Sequence, residues 1–230
     1  MCGRFALHTS LDALQRLFGF MNLSHVPPRY NVAPTQQALA VRQKSDGTRE
    51  GVLLRWGLVP FWAKDLAIGS KMINARAETA REKPSFAEAF RKRRCLILAD
   101  GFYEWGGSAG QPRRPFFIYL KSRQPFAIAG LYDRWKGTAE TPPVESCALL
   151  TTSANDLMAP IHDRMPVILP IEQYPLWLDP KEEDAAAVQP LLRPFPAAAM
   201  ALHPVGPEVN NPRNDWVNLI KPSESTGGEK

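Results

Sequence analysis

Four polar side chains in this 230-residue sequence could do chemistry together: Cys2, Asn74, Glu104 and His162. The chain opens Met-Cys-Gly-Arg-Phe. Methionine aminopeptidases remove Met1 when the second side chain is small, which would leave Cys2 at the terminus. Its α-amine and thiol would then sit on neighbouring carbons as a 1,2-aminothiol. Such a pair condenses with an aldehyde. The amine forms an imine, and the thiol closes on the imine carbon to give a five-membered thiazolidine. Proximity drives the closure, with effective molarities that reach about 10⁵ M or more. An α-amine of pKa about 7.7–8.0 and a thiol of pKa about 8.5 both have a reactive fraction near neutrality. If Met1 stays in place, Cys2 is only a second residue and has none of this reactivity.

Three further segments carry polar groups that such chemistry needs. In Lys71–Arg76 (KMINAR), Asn74 could hold the amine by a hydrogen bond and Arg76 could grip a phosphate through its planar fork. The plain alternative is that Asn74 ends a loop and Arg76 pairs with Glu78. In ADGFYEWG (99–106), Asp100-Gly101 marks a turn and Glu104 stands between Tyr103 and Trp105. Burial among aromatics raises a carboxyl pKa and suits a general acid or base, whereas an outward-facing Glu104 would do nothing. In IHDRMP (161–166), His162 could move protons near neutral pH or could be a surface histidine in a salt-bridged loop. His203, before Pro204, is a weaker candidate. Arginines and aromatics interleave around these segments: Arg4, Arg29, Tyr30, Arg55, Trp56, Phe61, Trp62, Arg76 and Trp105. Cations beside stacking platforms are what single-strand binders use. Trp62, in a Gly/Pro-rich stretch, is the better stacking candidate, while Trp56 or Trp105 belongs to the core.

Short elements must position these groups. Ser10 caps a helix whose Leu11, Leu14, Leu17 and Phe18 share a face. Prolines make 27–34 an extended loop. Strands are expected at 38–42, 52–56, 95–99, 116–120, 126–130, 147–152, 167–169 and 200–205, with a turn at Ser45-Asp46-Gly47. Helical segments are expected at 85–93, 171–178 and 184–192, and a helical turn at 155–160. Residues 57–75 read as a long loop. The pattern is α+β, a largely antiparallel, barrel-like central sheet with peripheral helices. One domain over 1–221 and a disordered polar tail over 222–230 are expected.

The composition fits a water-soluble chain, with no apolar run near the roughly 20 residues of a membrane span and no signal-peptide core. The expected place is the cytoplasm, or the nucleoid. A net charge of +5 leans towards an anionic partner. Three cysteines without CxxC spacing argue against a disulfide framework and a zinc site. Cys95 and Cys147 lie in apolar runs and read as inert core.

Taken in order, eleven segments resemble the SOS-response-associated peptidase family of abasic-site-processing proteins. They are MCGRF, RYNVAPTQ (29–36), RWGLVPFWAKD (55–65), INARAET (73–79), KPSF (83–86), RRCLILADGFYEW (93–105), PFFIY (115–119), AGLYDRW (129–135), TTSAN (151–155), IHDRMPVIL (161–169), and HPV with VN (203–205, 209–210). The resemblance implies the same α+β barrel-like fold and a covalent bond from Cys2 to the ring-opened sugar of an abasic site in single-stranded DNA. It implies that Asn74 orients the amine, Glu104 is the general acid/base, and His162 assists proton transfer and reversal. Arg4, Asn31 and Arg76 would hold the DNA backbone, and Trp62 would wedge at a strand junction. It further implies autopeptidase release of Cys2. The imine chemistry allows a lyase side activity and needs no metal or organic cofactor, and a monomer is expected. Three rival readings are an N-terminal-nucleophile amidohydrolase, a thiol peptidase using Cys2, His162 and Glu104, and a non-catalytic single-strand binding module.

Overall fold

The computed structural model describes residues 2–107 and 112–223. Within them the strands are β1 (Phe5–Leu7), β2 (Arg29–Val32), β3 (Gln37–Gln43), β4 (Arg49–Trp56), β5 (Asn74–Arg76), β6 (Arg94–Ala99), β7 (Gly101–Gly106), β8 (Arg114–Leu120), β9 (Phe126–Trp135), β10 (Val144–Ser153), β11 (Arg164–Pro166), β12 (Ile168–Leu169) and β13 (Met200–Pro204). The α-helices are α1 (Leu11–Phe18), α2 (Ala87–Lys92), α3 (Tyr174–Leu178) and α4 (Ala185–Val188), joined by short 3₁₀ turns. Met1 and most of the tail expected from Pro222 onward lie outside the described residues.

Strands β3, β6, β9, β10 and β4 close on one another into a five-stranded barrel, antiparallel except where β10 runs parallel to β4. A second sheet, in the order β13-β8-β7-β1-β2, is antiparallel throughout. The fold is α+β, as the sequence led us to expect. Alternation along the barrel strands sorts their side chains into two apolar clusters. Ala38, Ala40, Cys95, Ile97, Phe126, Ile128 and Cys147 pack with Phe5, Phe102 and Ile118 of the second sheet. Leu39, Val41, Leu96, Leu98, Ala127, Ala129 and Leu150 pack with Leu14, Phe18, Phe90 and Trp177 of the helices. Both faces of these strands are covered, so their sequences are nearly continuous apolar runs rather than alternating ones.

Local chemistry accounts for the edges of the elements. Ser10 Oγ accepts from the Ala13 N–H, and Gly19 ends α1 in the left-handed region with φ 74°. Arg94, 5% exposed, spends its N–H donors on the carbonyls of Phe90, Arg91, Trp177, Asp179 and Glu182, which ties α2 and α3 to the barrel wall. A Cβ at Gly101 would fall 2.3 Å from the Phe117 ring and 2.7 Å from the Ile118 carbonyl. Only glycine lets β6 pass directly into β7 there.

Three expectations need correction. The extended loop over 27–34 contains a strand: prolines flank β2, which pairs with β1 at the sheet edge where they are tolerated. The long loop over 57–75 contains a 3₁₀ turn (Leu66–Lys71) and ends in β5, which pairs with β10 in parallel. Gly101 starts a strand rather than sitting in a free turn, because the Asp100 carboxylate accepts from the His8 and Thr9 N–H groups and the Thr9 hydroxyl. No helix among the described residues is long and apolar enough to cross a membrane.

Candidate active site

Cys2 precedes β1, and the antiparallel pairing of Phe5 with Phe102 carries it towards the β7 segment that holds Glu104. The Tyr103 N–H extends this ladder to the Arg4 carbonyl at 2.9 Å. Cys2 is fully buried, and its thiol lies 3.8 Å from the Arg4 carbonyl, to which it donates. Burial pushes the thiol well above its ordinary value, and the negative charge of Glu104 pushes it further. Glu104 is 3% exposed. Burial raises its carboxyl above the usual range, while the positive chain terminus and His162 pull the other way. Cys2, Glu104 and His162 therefore share one electrostatic neighbourhood.

Asn74 reaches the same place from β5. Pairing with Leu149 of β10 fixes its backbone, and its Nδ2 donates to the Cys2 carbonyl at 2.8 Å. Its Oδ1 is buried and accepts no hydrogen bond among the described residues. His162 arrives on the loop before β11, which pairs with the end of β10. Its Nδ1 lies 3.0 Å from the Arg164 N–H and 2.8 Å from the Asp163 carboxylate. A neutral ring can accept from the first, and a protonated ring can donate to the second. Both charge states of His162 thus have a partner at the same nitrogen. His203, the weaker histidine candidate, packs against Phe117 and Tyr119, with Nε2 2.8 Å from the Ile220 carbonyl.

The proposed DNA-contacting residues fall into two kinds. Arg76 and Trp62 are open to solvent, Trp62 at 49%. Arg76 has no ion pair among the described residues, because Glu78 is held instead by two bonds from Arg164, at 2.6 and 2.8 Å. Phe61 and Trp62 project from a loop pinned at both ends by its backbone. The Phe61 N–H donates to Asp133 at 3.0 Å, and the Ala63 carbonyl accepts from the Trp135 indole at 2.7 Å. Trp56 is core, while Trp105 is half-buried, with the Arg4 guanidinium 5.9 Å from its ring centre. Arg4 is half-buried and Asn31 fully buried. The Asn31 amide is engaged with protein on both sides, accepting from Arg4 at 2.8 Å and donating to carbonyls of the C-terminal segment.

Sequence reasoning gave no role to that C-terminal segment. Val209 accepts from Arg4 at 2.6 Å, and Asn210 Oδ1 accepts from the Trp105 indole at 2.7 Å. The VN pair at 209–210 was the available signal. Cys95 and Cys147 are fully buried free thiols, as expected of inert core residues.

A family model described as "SOS response associated peptidase (SRAP)" matches residues 1–212. The chain is 46% identical over 224 residues to "Abasic site processing protein YoqW" of Bacillus subtilis (strain 168), covering 96% of this chain and 99% of that one. It is 29% identical to "Abasic site processing protein HMCES" of Gallus gallus, covering 97% of this chain and 78% of the relative. A crystal structure of a Bacteroides thetaiotaomicron protein superposes with a TM-score of 0.86 at 27% identity, covering 96% of this chain and all of that one.

Proposed function

The chain belongs to the SOS response associated peptidase family, and from that membership we propose that it crosslinks itself through Cys2 to abasic sites in single-stranded DNA. The observation that carries the reading is the Asn74 amide on the Cys2 carbonyl, in the same buried neighbourhood as Glu104 and His162. Three distant stretches of sequence converge on the residue that Met1 removal would turn into an aminothiol.

The chemistry balances without a cofactor. An abasic sugar is mostly a closed hemiacetal. Glu104, whose hold on a proton burial strengthens, acts in its protonated form and gives that proton to the ring oxygen while water takes the proton of the C1 hydroxyl, leaving an aldehyde and a free hydroxyl. The Cys2 amine adds to the carbonyl carbon, and loss of water gives the imine. The S–H then adds across the C=N bond: sulfur bonds to carbon and the proton goes to nitrogen. One C–N bond and one C–S bond form, and one water leaves. The order suits the site. A neutral amine acts first, and the thiol never has to become a free thiolate, which burial opposes. That burial also counts against the thiol-peptidase reading, whose first step needs the thiolate. The amidohydrolase and the non-catalytic binding module are other outcomes of the test below.

The remaining residues serve positioning and proton transfer. Asn74 spans Cys2, with Nδ2 on its carbonyl and the unpartnered Oδ1 available to the freed amine. His162 moves protons during closure and its reversal. Arg4 and Arg76 hold phosphates, and the pinned Trp62 stacks or wedges. Before thiazolidine closure the imine can undergo β-elimination, which accounts for a lyase side activity.

The test is a denaturing gel of the chain, with Met1 removal verified by intact mass, and a single-stranded oligonucleotide carrying one abasic site. The expected result is a heat- and detergent-stable band that needs both the abasic site and Cys2. Absence of that band, or its persistence in Cys2→Ala, overturns the proposal.

A further inference from the structure

Asn31 is fully buried, and both ends of its amide are engaged. Oδ1 accepts from Arg4 Nη1 at 2.8 Å. Nδ2 lies 3.3 Å from the Val209 carbonyl, 3.1 Å from that of Asn211 and 2.7 Å from that of Asn214, so its two hydrogens serve three acceptors. The segment 207–215 belongs to no strand and contains Pro207 and Pro212. Its carbonyls have no ladder to join, and Asn31 donates to three of them, sharing Val209 with Arg4 and Asn211 with the Asn214 N–H. The other ties point the same way. Asp215 pairs with Arg29 and accepts from the Tyr30 N–H at 2.5 Å, and Asn210 accepts from Trp105. The Arg4 side chain has two acceptors at Nη1, Asn31 Oδ1 and the Val209 carbonyl of this segment, and the Trp105 ring of β7 on its face. Arg4 Nη2 donates no hydrogen bond among the described residues.

We propose that Asn31 is a positioning residue: it folds the segment 207–215 into a clasp around Arg4, so that the Nη2 edge of that guanidinium is aimed at a DNA phosphate. Asn31 itself touches no DNA. This rests on the reading of the site as one for single-stranded DNA. The amide is needed as such, because the position demands a donor for three carbonyls and an acceptor for a guanidinium at once. Aspartate would face the carbonyls with a charge of the wrong sign, and leucine would offer neither function.

The experiment measures affinity for an abasic-free single-stranded oligonucleotide across a salt series, for wild type, Asn31→Leu, Arg4→Ala and the double variant, with thermal midpoints in parallel. Each phosphate neutralised contributes about 0.7 to the slope of log affinity against log salt on single strands. Arg4→Ala and Asn31→Leu should each lower the slope by that amount and weaken binding by about tenfold at low salt. The double variant should be no worse than Arg4→Ala alone, since both remove the same contact. Asp215→Ala opens the far end of the clasp without touching Arg4 or Asn31. It gives a second reading if Asn31→Leu does not fold, with an expected loss of about threefold and a shallower slope.

Three results overturn the proposal. In the first, Asn31→Leu weakens binding equally in both Arg4 backgrounds. In the second, affinity falls with the thermal midpoint while the slope stays at the wild-type value. In the third, Asp215→Ala leaves both affinity and slope unchanged. If wild type shows no salt-dependent binding at all, the DNA reading beneath the inference falls as well, so the two failures are distinguishable.

Discussion

Asn74→Ala removes the bond that locates Cys2. In the structure this is a 2.8 Å contact between a strand-held amide and the Cys2 carbonyl, in a site where Cys2 is fully buried. Removing one partner from a buried pair strands the other and costs about 1–3 kcal/mol. If the loss is felt in the transition state, each 1.36 kcal/mol is tenfold in rate, which gives a slowing of about 5- to 150-fold. The upper half of that range is expected, because the Oδ1 awaiting the amine is lost together with Nδ2. Asn74→Asp keeps an acceptor but puts a carboxylate against the Cys2 carbonyl, and should be as slow as alanine or slower. The assay is single-turnover crosslinking with protein in excess over abasic oligonucleotide, which separates the rate from the affinity. Affinity for intact single strands should stay within about twofold. A wild-type crosslinking rate for Asn74→Ala would refute the assignment. A lost affinity at an unchanged rate would move Asn74 from the chemistry to DNA contact.

Four further outcomes follow from the geometry. Burial holds the proton on Glu104 above the usual carboxylate range, so the folded state binds it more tightly than the unfolded chain does. Stability from this group is therefore lost as pH rises from about 4.3, its unfolded value, through the raised folded one. The gain in thermal midpoint of Glu104→Gln over wild type should grow with pH in that window, and a constant difference would contradict the buried-acid assignment. Cys2→Ser should give an imine trappable by borohydride but no heat-stable adduct on a denaturing gel. Arg76→Ala, at an exposed residue with no ion pair among the described residues, should flatten the salt dependence of binding by about 0.7 without changing the thermal midpoint. Gly101→Ala should lose stability by about 1–3 kcal/mol in chemical denaturation, because its Cβ meets Phe117 and the Ile118 carbonyl.

What could be read in advance depended on how local the controlling physics is. The cap at Ser10 and the apolar runs of β6, β9 and β10 announce themselves within a few residues, and each element covers the stretch the sequence put there, β9 running five residues further. Strands β1, β2 and β7 were not recognised. They are short or interrupted by turn-forming residues, and they exist because they pair with each other and with β8 across long stretches of chain. The Asp100-Gly101 start of DGFYEW reads as a turn. It becomes strand because the Asp100 carboxylate is consumed by His8 and Thr9, just after β1. The site behaved in the same way. Cys2 was legible from its position, and Glu104 from its aromatic neighbours. The burial of Asn31 and its grip on residues 209–214 depend on a contact across 178 positions, which no window of sequence contains. Arg76 was weighed against a pairing with Glu78, and that carboxylate went instead to Arg164, 86 positions away.

The burial of Cys2 also bears on how long the protein keeps. Oxidants consume thiolates faster than thiols, and they must first reach the sulfur. A sulfur that is fully covered, and whose proton is held tightly by its surroundings, climbs the ladder of sulfenic, sulfinic and sulfonic acids slowly. Under the proposed chemistry each crosslink occupies this sulfur until the link is reversed, so the useful lifetime of the protein is set by how well that atom is stored. On the proposed reading, the lining that slows ionisation of Cys2 also serves as packaging, keeping the sulfur unspent until an aldehyde is delivered to it.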